Sequence, residues 1–124
     1  MNGSDGGELG RFAEAAALTW LQQQGLICVT QNFRCKGGEI DLIMSHKNQL
    51  VFVEVRLRSA SAFGGAAESV TRTKQRRIIH AARQFLVTQP RWQQCACRFD
   101  VLAASRTRSG TLEWQWLQNA FITE

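Results

Sequence analysis

The sequence lacks a long hydrophobic run. Its uninterrupted apolar stretches contain only a few residues, whereas a membrane-spanning helix needs roughly 20. Residues 1–9 also lack the basic start and the apolar segment of a secretion signal, so we expect a flexible acidic lead there. With 124 residues in all, the chain is then predicted to form a single domain over residues 10–124, which is large enough to bury a core.

A Cys-x-x-Cys motif is also absent. The four cysteines are Cys28, Cys35, Cys95 and Cys97, and no histidine lies near the closest pair. A zinc site is therefore not expected. The preferred interpretation is a set of reduced thiols in a cytoplasmic protein.

Acidic residues are scarce in one part of the chain. Only Glu68 carries a negative charge between Arg56 and Arg83, a span of 28 positions that holds seven of the 15 basic residues. The chain as a whole has a formal charge of +5 at pH 7 and a pI near 9.6. This distribution favours a polyanionic partner, although it does not identify one.

What the chain does contain is an alternation of helical and strand patterns without an internal repeat. The predicted order is helix, three strands, helix, two strands, which indicates an α/β fold with antiparallel pairs and at least one helical crossover. The predicted helices are 8–24 and 71–88, and the predicted strands are 26–32, 38–43, 50–56, 97–103 and 112–117.

Two carboxylates interrupt strands that otherwise have the composition of a core. Asp41 lies in Gly-Glu-Ile-Asp-Leu-Ile and Glu54 in Leu-Val-Phe-Val-Glu-Val-Arg, with a polar turn between the two segments. If the hairpin closes on Lys47 and Asn48, residues whose numbers sum to 95 face one another. Asp41 and Glu54 are then opposite, with Cβ atoms roughly 5 Å apart, and Arg56 follows on the same face.

Such a pair requires a positive charge between its members, because two like charges in a half-buried sheet repel. Glu14, on the first helix, is a third candidate for the same site, although it is equally consistent with a solvated position at the margin of the apolar face. Three carboxylates would suit Mg²⁺ or Mn²⁺. The alternative is a metal-free ion-pair network in which arginines neutralise the acids, with these candidates: Arg56, Arg34 and Arg98.

Basic residues crowd the first turns of the second predicted helix, where backbone amides also favour anions. We expect a surface that contacts nucleic-acid phosphates there. The alternative is a solvated helix face without a binding role. The preceding small-residue loop, 59–67, could close over a bound strand. The predicted nucleic-acid-binding residues are Arg58, Arg72, Lys74, Arg76 and Arg77.

Together these segments resemble the YraN family of small bacterial proteins. The resemblance extends from about Gly10 to Phe121. It rests on Gly10-x3-Glu14, Gly38-Glu39-Ile40-Asp41-Leu42-Ile43, Phe52-Val53-Glu54-Val55-Arg56-x-Arg58, Phe63-Gly64, Lys74 and Arg98-Phe99-Asp100-Val101. That family is in turn similar to the PD-(D/E)XK nucleases, most nearly the archaeal Holliday-junction resolvases.

The resemblance implies a restriction-endonuclease-like fold, with a central mixed sheet of about five strands flanked by helices. It also implies that Asp41, Glu54 and Glu14 are catalytic acids that hold Mg²⁺ or Mn²⁺. Arg56 occupies the position where this nuclease motif usually has lysine, and arginine cannot act as a base. Arg56 can still stabilise charge on a phosphate, and Lys74 could supply the missing amine.

Three functions follow from these observations. The leading one is metal-dependent phosphodiester hydrolysis on structured or branched DNA in the cytoplasm. The second is a nucleic-acid-binding module that keeps the nuclease scaffold without turnover. The third is a protein-interaction adaptor whose acids pair with arginines, although the sequence carries no sign of a partner protein or a dimer interface. Arg98 and Asp100 share a strand face, so a structural ion pair is expected between them.

Overall fold

The computed structural model describes residues 2–58 and 70–122, and it describes side chains from Gly10 onward. Two long helices, one short 3₁₀ helix at Pro90–Trp92 and five strands make up this part of the chain. The helices are α1 (Asn2–Gln23) and α2 (Arg72–Thr88), and the strands are β1 (Ile27–Cys35), β2 (Gly38–His46), β3 (Gln49–Arg58), β4 (Ala96–Arg106) and β5 (Leu112–Phe121).

The five strands form one mixed sheet in the order β1-β2-β3-β4-β5. Three of the four pairings are antiparallel, and β3 runs parallel to β4. A parallel pair requires a crossover connection, and α2 lies within the segment that makes it. The predicted α/β class and the predicted five-stranded mixed sheet are therefore confirmed, and the architecture is consistent with a restriction-endonuclease-like fold.

Each face of the sheet packs against one helix. On one face, the apolar side of α2, including Ile78 and Phe85, packs with Phe52 and Phe99 of the central strands. On the other face, Ala17 and Leu21 of α1 pack with a second set of strand residues: Leu42, Met44, Val51, Val53 and Leu102. Because β2, β3 and β4 are covered on both faces, their sequences are nearly continuous apolar segments. A charged residue within these strands therefore requires a specific explanation.

Local sequence signals explain how the elements end. Gly25 has a φ of 96° and follows α1, and Leu26 N–H donates to the Leu21 carbonyl, which gives the Schellman arrangement that glycine favours. Lys47 and Asn48 both have positive φ, as a two-residue type I′ hairpin turn demands. The start of α2 is fixed by the Thr71 hydroxyl, which accepts a hydrogen bond from Lys74 N–H at 3.1 Å.

Five predicted boundaries were wrong by three or more residues. The first helix begins at Asn2 and not near Glu8, so residues 2–9, which were expected as a flexible lead, are helical. Extending an existing helix costs much less than starting one, which allows it to continue through this glycine-rich segment. The strands also continue past their predicted ends, β1 to Cys35, β2 to His46, β4 to Arg106 and β5 to Phe121.

The predicted closing loop, 59–67, lies outside the described residues. Neither of the long helices described here has the length and apolar content that a membrane span requires. The four cysteines, all within the described part, are free thiols, as the sequence predicts.

Candidate active site at a fork in the sheet

The sheet divides between β2 and β3. Their paired residues run from His46–Gln49 to Leu42–Val53 and end there. β2 nevertheless continues beside β1 back to Gly38, and β3 continues beside β4 as far as Arg58. The two central strands therefore separate beyond Leu42 and Val53, and the residues at the opening of this fork are Asp41 and Glu54.

Asp41 lies where the regular alternation of β2 is interrupted. Ile40 and Ile43 are three residues apart, yet both pack on the α2 side of the sheet. At this point the Asp41 Oδ2 atom accepts a hydrogen bond from the Val55 N–H at 2.8 Å. The carboxylate thus satisfies a backbone donor of β3 at the place where β2 no longer pairs with it.

The predicted register is confirmed, because every paired position of the β2–β3 hairpin sums to 95. The pairing stops one step before Asp41 and Glu54, but the Asp41 carboxyl still lies close enough to Glu54 to raise the pKa of Glu54. Tertiary structure keeps the two acids together even though the strands have started to separate.

Glu54 is the most buried acid of the site, with only 4% of its surface exposed. Burial, followed by the charge of Asp41, raises the pKa of Glu54 to about 8, although the charges of Lys74 and Arg56 act in the opposite direction. At neutral pH this carboxyl is consequently largely protonated. A neutral Glu54 carboxyl removes the repulsion between like charges that the sequence predicts.

Glu14 reaches the same cluster from α1. Burial, followed by the charge and hydrogen bonding of the nearby Asp41 carboxyl, raises the pKa of Glu14 to about 7. Glu14 is half-buried, and its proximity to Asp41 favours the site over the solvated margin of the apolar face. The helix brings it to the fork, where it becomes the third carboxyl of the cluster.

Two basic side chains approach Glu54 from different elements. Arg56 Nη1 lies 3.7 Å from Glu54 Oε2, as expected for a neighbour on the same strand face. Lys74 Nζ lies 3.6 Å from the same oxygen, although Lys74 belongs to α2 and is 20 positions away in the sequence. The predicted inward position of Lys74 is confirmed.

The other two arginines considered as counter-ions lie elsewhere. Arg34 Nε is 3.9 Å from Glu39 at an exposed position. Arg98 is buried and donates to both carboxylate oxygens of Asp100, at 3.0 and 3.2 Å, which confirms the predicted structural pair. Within the described residues, the cations placed to balance the acid cluster are thus Arg56 and Lys74.

Asn32 is a residue of this site that the sequence analysis missed. The flanking pairs Gln31–Leu42 and Phe33–Ile40 place it opposite Asp41, and its side chain lies close enough to Glu14 to lower the pKa of that carboxyl. Its φ is 52°, a left-handed conformation that asparagine tolerates better than other residues with a side chain. The only signal in the sequence was an asparagine inside a strand pattern, where this residue type is uncommon.

The donor chemistry of the cluster fits a hard divalent cation. Glu14, Asp41 and Glu54 offer carboxylate oxygens, the ligand type that Mg²⁺ and Mn²⁺ prefer. In the described part of the chain, however, no three acidic, histidine or cysteine side chains are already placed to hold a metal ion. Because the pKa values of Glu14 and Glu54 are raised, metal binding would also require proton release.

The predicted basic surface is divided by α2. Successive helix residues are rotated by about 100°, so Arg72 and Arg76 lie nearly opposite Lys74. Consistent with this, Lys74 is half-buried and both arginines are exposed. Arg77 is exposed at the side of the helix, and Arg58 donates to Gln115 Oε1 at 3.4 Å. The five predicted phosphate-binding residues do not form a single patch.

With this geometry established, comparison with known proteins gives the family. Residues 13–104 match the sequence profile of Uncharacterised protein family UPF0102. The chain belongs to this family. The matched segment contains Glu14, Asp41, Glu54 and Lys74, together with the Arg98–Asp100 pair.

Three bacterial members show how far the similarity extends. The chain is similar to a UPF0102 protein of Pseudomonas putida, with 48% identity over 112 residues that cover 90% of this chain and 91% of that protein. A UPF0102 protein of Alcanivorax borkumensis is 48% identical over 93% of this chain and 92% of its own. One from Cupriavidus pinatubonensis is 57% identical over 90% of this chain and 84% of its own. The predicted YraN-type membership is thereby confirmed.

Proposed function

We propose that this UPF0102 protein is a divalent-metal-dependent nuclease that acts on structured or branched DNA. The observation that supports this most strongly is the meeting of three carboxyls from α1, β2 and β3 with two cations from β3 and α2 at one opening in the sheet. A purely structural ion pair does not need five charged groups from four elements. Groups that are expensive to bury and are nevertheless gathered in one place are typical of active sites.

Asp41, Glu54 and Glu14 would hold Mg²⁺ or Mn²⁺. Such an ion, when bound, lowers the pKa of a coordinated water and neutralises charge on the attacked phosphate. Asp41 is fixed for this task by the Val55 N–H, and Glu14 is oriented by Asn32. The protein supplies the geometry through backbone contacts that do not depend on the ion.

Lys74 and Arg56 would place the phosphate. Because an arginine side chain cannot act as a base, the contribution of Arg56 is to hold a phosphate oxygen and to stabilise charge in the transition state. Lys74 would provide the primary amine that the third motif position on β3 lacks, since it lies against the same Glu54 oxygen as Arg56. In this proposal the amine comes from the helix α2 and not from the strand β3.

A second function, DNA binding without turnover, is favoured by one specific observation. Glu54 already has two cations within 4 Å and a carboxyl hydrogen-bond partner, which is the arrangement expected if protons and basic side chains balance the acids permanently. The two functions differ in what Glu54→Gln does, since this variant keeps the shape of the side chain but removes a ligand charge.

The test uses branched DNA substrates with Mg²⁺ or Mn²⁺, and compares the wild type with Glu54→Gln and with Glu113→Gln, a matched change at an exposed position on β5. We expect cleavage by the wild type and by Glu113→Gln, and a loss of at least about 100-fold in Glu54→Gln. Equal metal-independent DNA binding by all three proteins, with no cleavage of flaps, junctions or single strands, would instead favour the binding module.

A further inference from the structure

A basic groove runs along the outer side of α2, away from the acid cluster. It has a volume of about 380 Å³ and is lined by Arg72, Arg76 and Arg83 together with Gln75, Ile79 and Ile122. The three arginines are exposed, and no acidic residue lines the groove. We refer to it below as the arginine groove.

The three guanidinium groups have no anionic partner within the described part of the chain. Its ion pairs occupy Arg34, Arg56, Lys74 and Arg98 instead. Arg72 and Arg76 are four positions apart on a helix, where like charges repel. Three positive charges in one groove, none of them ion-paired with a described residue, make a binding surface for a polyanion, since an anion there relieves their mutual repulsion.

The arginine groove is separate from the acid cluster. Lys74 reaches Glu54 from the inner side of α2, whereas Arg72 and Arg76 lie about 160° around the helix axis from it. A phosphate in contact with Lys74 therefore cannot belong to the same short stretch of backbone as phosphates held in the arginine groove.

The row of arginines matches an extended polyanion. Arg72 and Arg83 are about 16 Å apart along the helix axis, from a rise of 1.5 Å per residue. A DNA strand carries one phosphate per 3.4 Å of duplex axis, so this length corresponds to about five phosphates. Guanidinium groups pair with phosphate oxygens through two parallel hydrogen bonds, and such contacts require no particular base sequence.

We propose that the arginine groove binds a second DNA segment, so that the protein holds two arms of a branched substrate at once. The proposal rests on the proposed function, because the first arm is the one placed at the acid cluster. Two linked contacts raise the affinity for a branched DNA above that for a linear duplex, since the second contact is made within one complex.

The experiment measures binding and not cleavage. The full chain is titrated in EDTA with a fluorescent three-way junction and with a linear duplex of the same sequence and arm length, at several salt concentrations. The variants are Arg76→Ala with Arg83→Ala in one protein, and Arg91→Ala as a control that removes an exposed arginine from the 3₁₀ helix. The readouts are the ratio of the two affinities and the salt dependence of each.

We expect the wild type and Arg91→Ala to bind the junction more tightly than the linear duplex. In the double variant, the ratio of the two affinities should fall roughly tenfold. Its salt dependence on the junction should correspond to about two fewer phosphate contacts, while its affinity for the linear duplex at the acid cluster remains. Circular dichroism and unfolding curves like those of the wild type would show that the fold is intact.

Three results would overturn the proposal. One is an unchanged junction preference in the double variant, and another is equal binding of junction and duplex by the wild type. The third is a double variant that loses affinity for an acidic polypeptide such as polyglutamate but keeps its junction preference, which would assign the arginine groove to a protein partner. EDTA removes turnover from the assay, so the junction preference tests the arginine groove separately from catalysis. A missing nuclease activity would contradict the catalytic proposal alone.

Discussion

At the scale of single residues, the acid cluster makes this protein's stability depend on pH. The pKa values of Glu54 and Glu14 are raised in the folded state to about 8 and about 7, while both carboxyls have ordinary values near 4.5 when the chain is unfolded. Between these values the folded state binds more protons than the unfolded state. Stability is therefore greatest below pH 4.5 for these groups and is lost as the pH rises through 7 and 8.

Glu54→Gln should remove most of that dependence. We expect the variant to be more stable than the wild type at pH 9 by on the order of 3 kcal/mol, and the difference to shrink as the pH falls towards 4.5, because the Glu54 carboxyl of the unfolded chain then also becomes protonated. Urea unfolding at pH 5, 7 and 9 measures it, with Glu113→Gln as the exposed control. A constant difference across this range would mean that Glu54 is ionised in the folded protein.

Asn32 should be intolerant of alanine for reasons of backbone conformation. Its φ of 52° costs a residue with a Cβ about 1–2 kcal/mol, so Asn32→Ala should be less stable than Asn32→Gly by about that amount. Asn32→Gly should also raise the pKa of Glu14, because it removes a hydrogen bond that lowers it. Urea unfolding and an NMR titration of Glu14 check the two effects. Equal stability of both variants, or an unmoved Glu14 titration, would contradict this role.

At the scale of secondary-structure elements, Gly38 sets how closely α2 approaches the sheet. A Cβ at this position would overlap the backbone carbonyl oxygen of Arg77 and lie 3.2 Å from the Ala81 Cβ. A backbone atom cannot rotate away as a side chain can, so the helix itself would have to move. The position of α2 is also held by His80, whose Nε2 is 3.0 Å from the Lys36 carbonyl oxygen, and that position determines where Lys74 reaches.

Gly38→Ala should consequently destabilise the fold by about 1–3 kcal/mol and weaken the Lys74–Glu54 contact. Gly10→Ala is the matched control, since a Cβ at Gly10, in α1, meets nothing within 4 Å. That variant should gain about 0.5–1 kcal/mol from the better helix propensity of alanine. Thermal and urea unfolding give both values. The prediction fails if the two variants change stability in the same direction.

At the scale of the whole molecule, the Arg98–Asp100 pair joins β2, β3, β4 and β5. Asp100 is fully buried and accepts hydrogen bonds from Trp116 Nε1 and from the Asn119 N–H, both at 2.9 Å. Arg98 extends in the other direction to Gln49 Oε1, at 2.7 Å, and to His46 Nδ1, at 3.0 Å. The network provides hydrogen-bond partners for the buried Arg98 and Asp100 side chains. It is centred on β4, away from the fork.

Arg98→Ala should therefore cost about 3–5 kcal/mol, because it leaves the Asp100 charge buried without its ionic partner. Arg34→Ala removes the same side chain from an exposed pair and should cost no more than about 1 kcal/mol. Denaturant unfolding of both variants tests the contrast. A loss in Arg98→Ala as small as that in Arg34→Ala would show that Asp100 is adequately balanced by its neutral donors alone.

Much of this molecule follows from local patterns. The apolar strands, the positive φ at Lys47 and Asn48, and the Thr71 cap of α2 each reflect interactions within a few residues of sequence. The hairpin register follows from the same source, since a two-residue turn fixes which positions face each other. These patterns were enough to predict the α/β class and to bring Asp41 close to Glu54.

The fork, the inward position of Glu14 and the role of Asn32 were decided by tertiary structure. β2 separates from β3 because β2 stays paired with β1 while β3 stays paired with β4. Which neighbour each strand keeps depends on long-range pairing, so no local sequence pattern predicts it. The sequence by itself determined which charged groups are present and which segments carry them. Only the packing of α1 and α2 on opposite faces decided that Glu14 and Lys74 reach the fork while Arg72 and Arg76 face away from it, because a helix can direct only one of its sides toward the sheet.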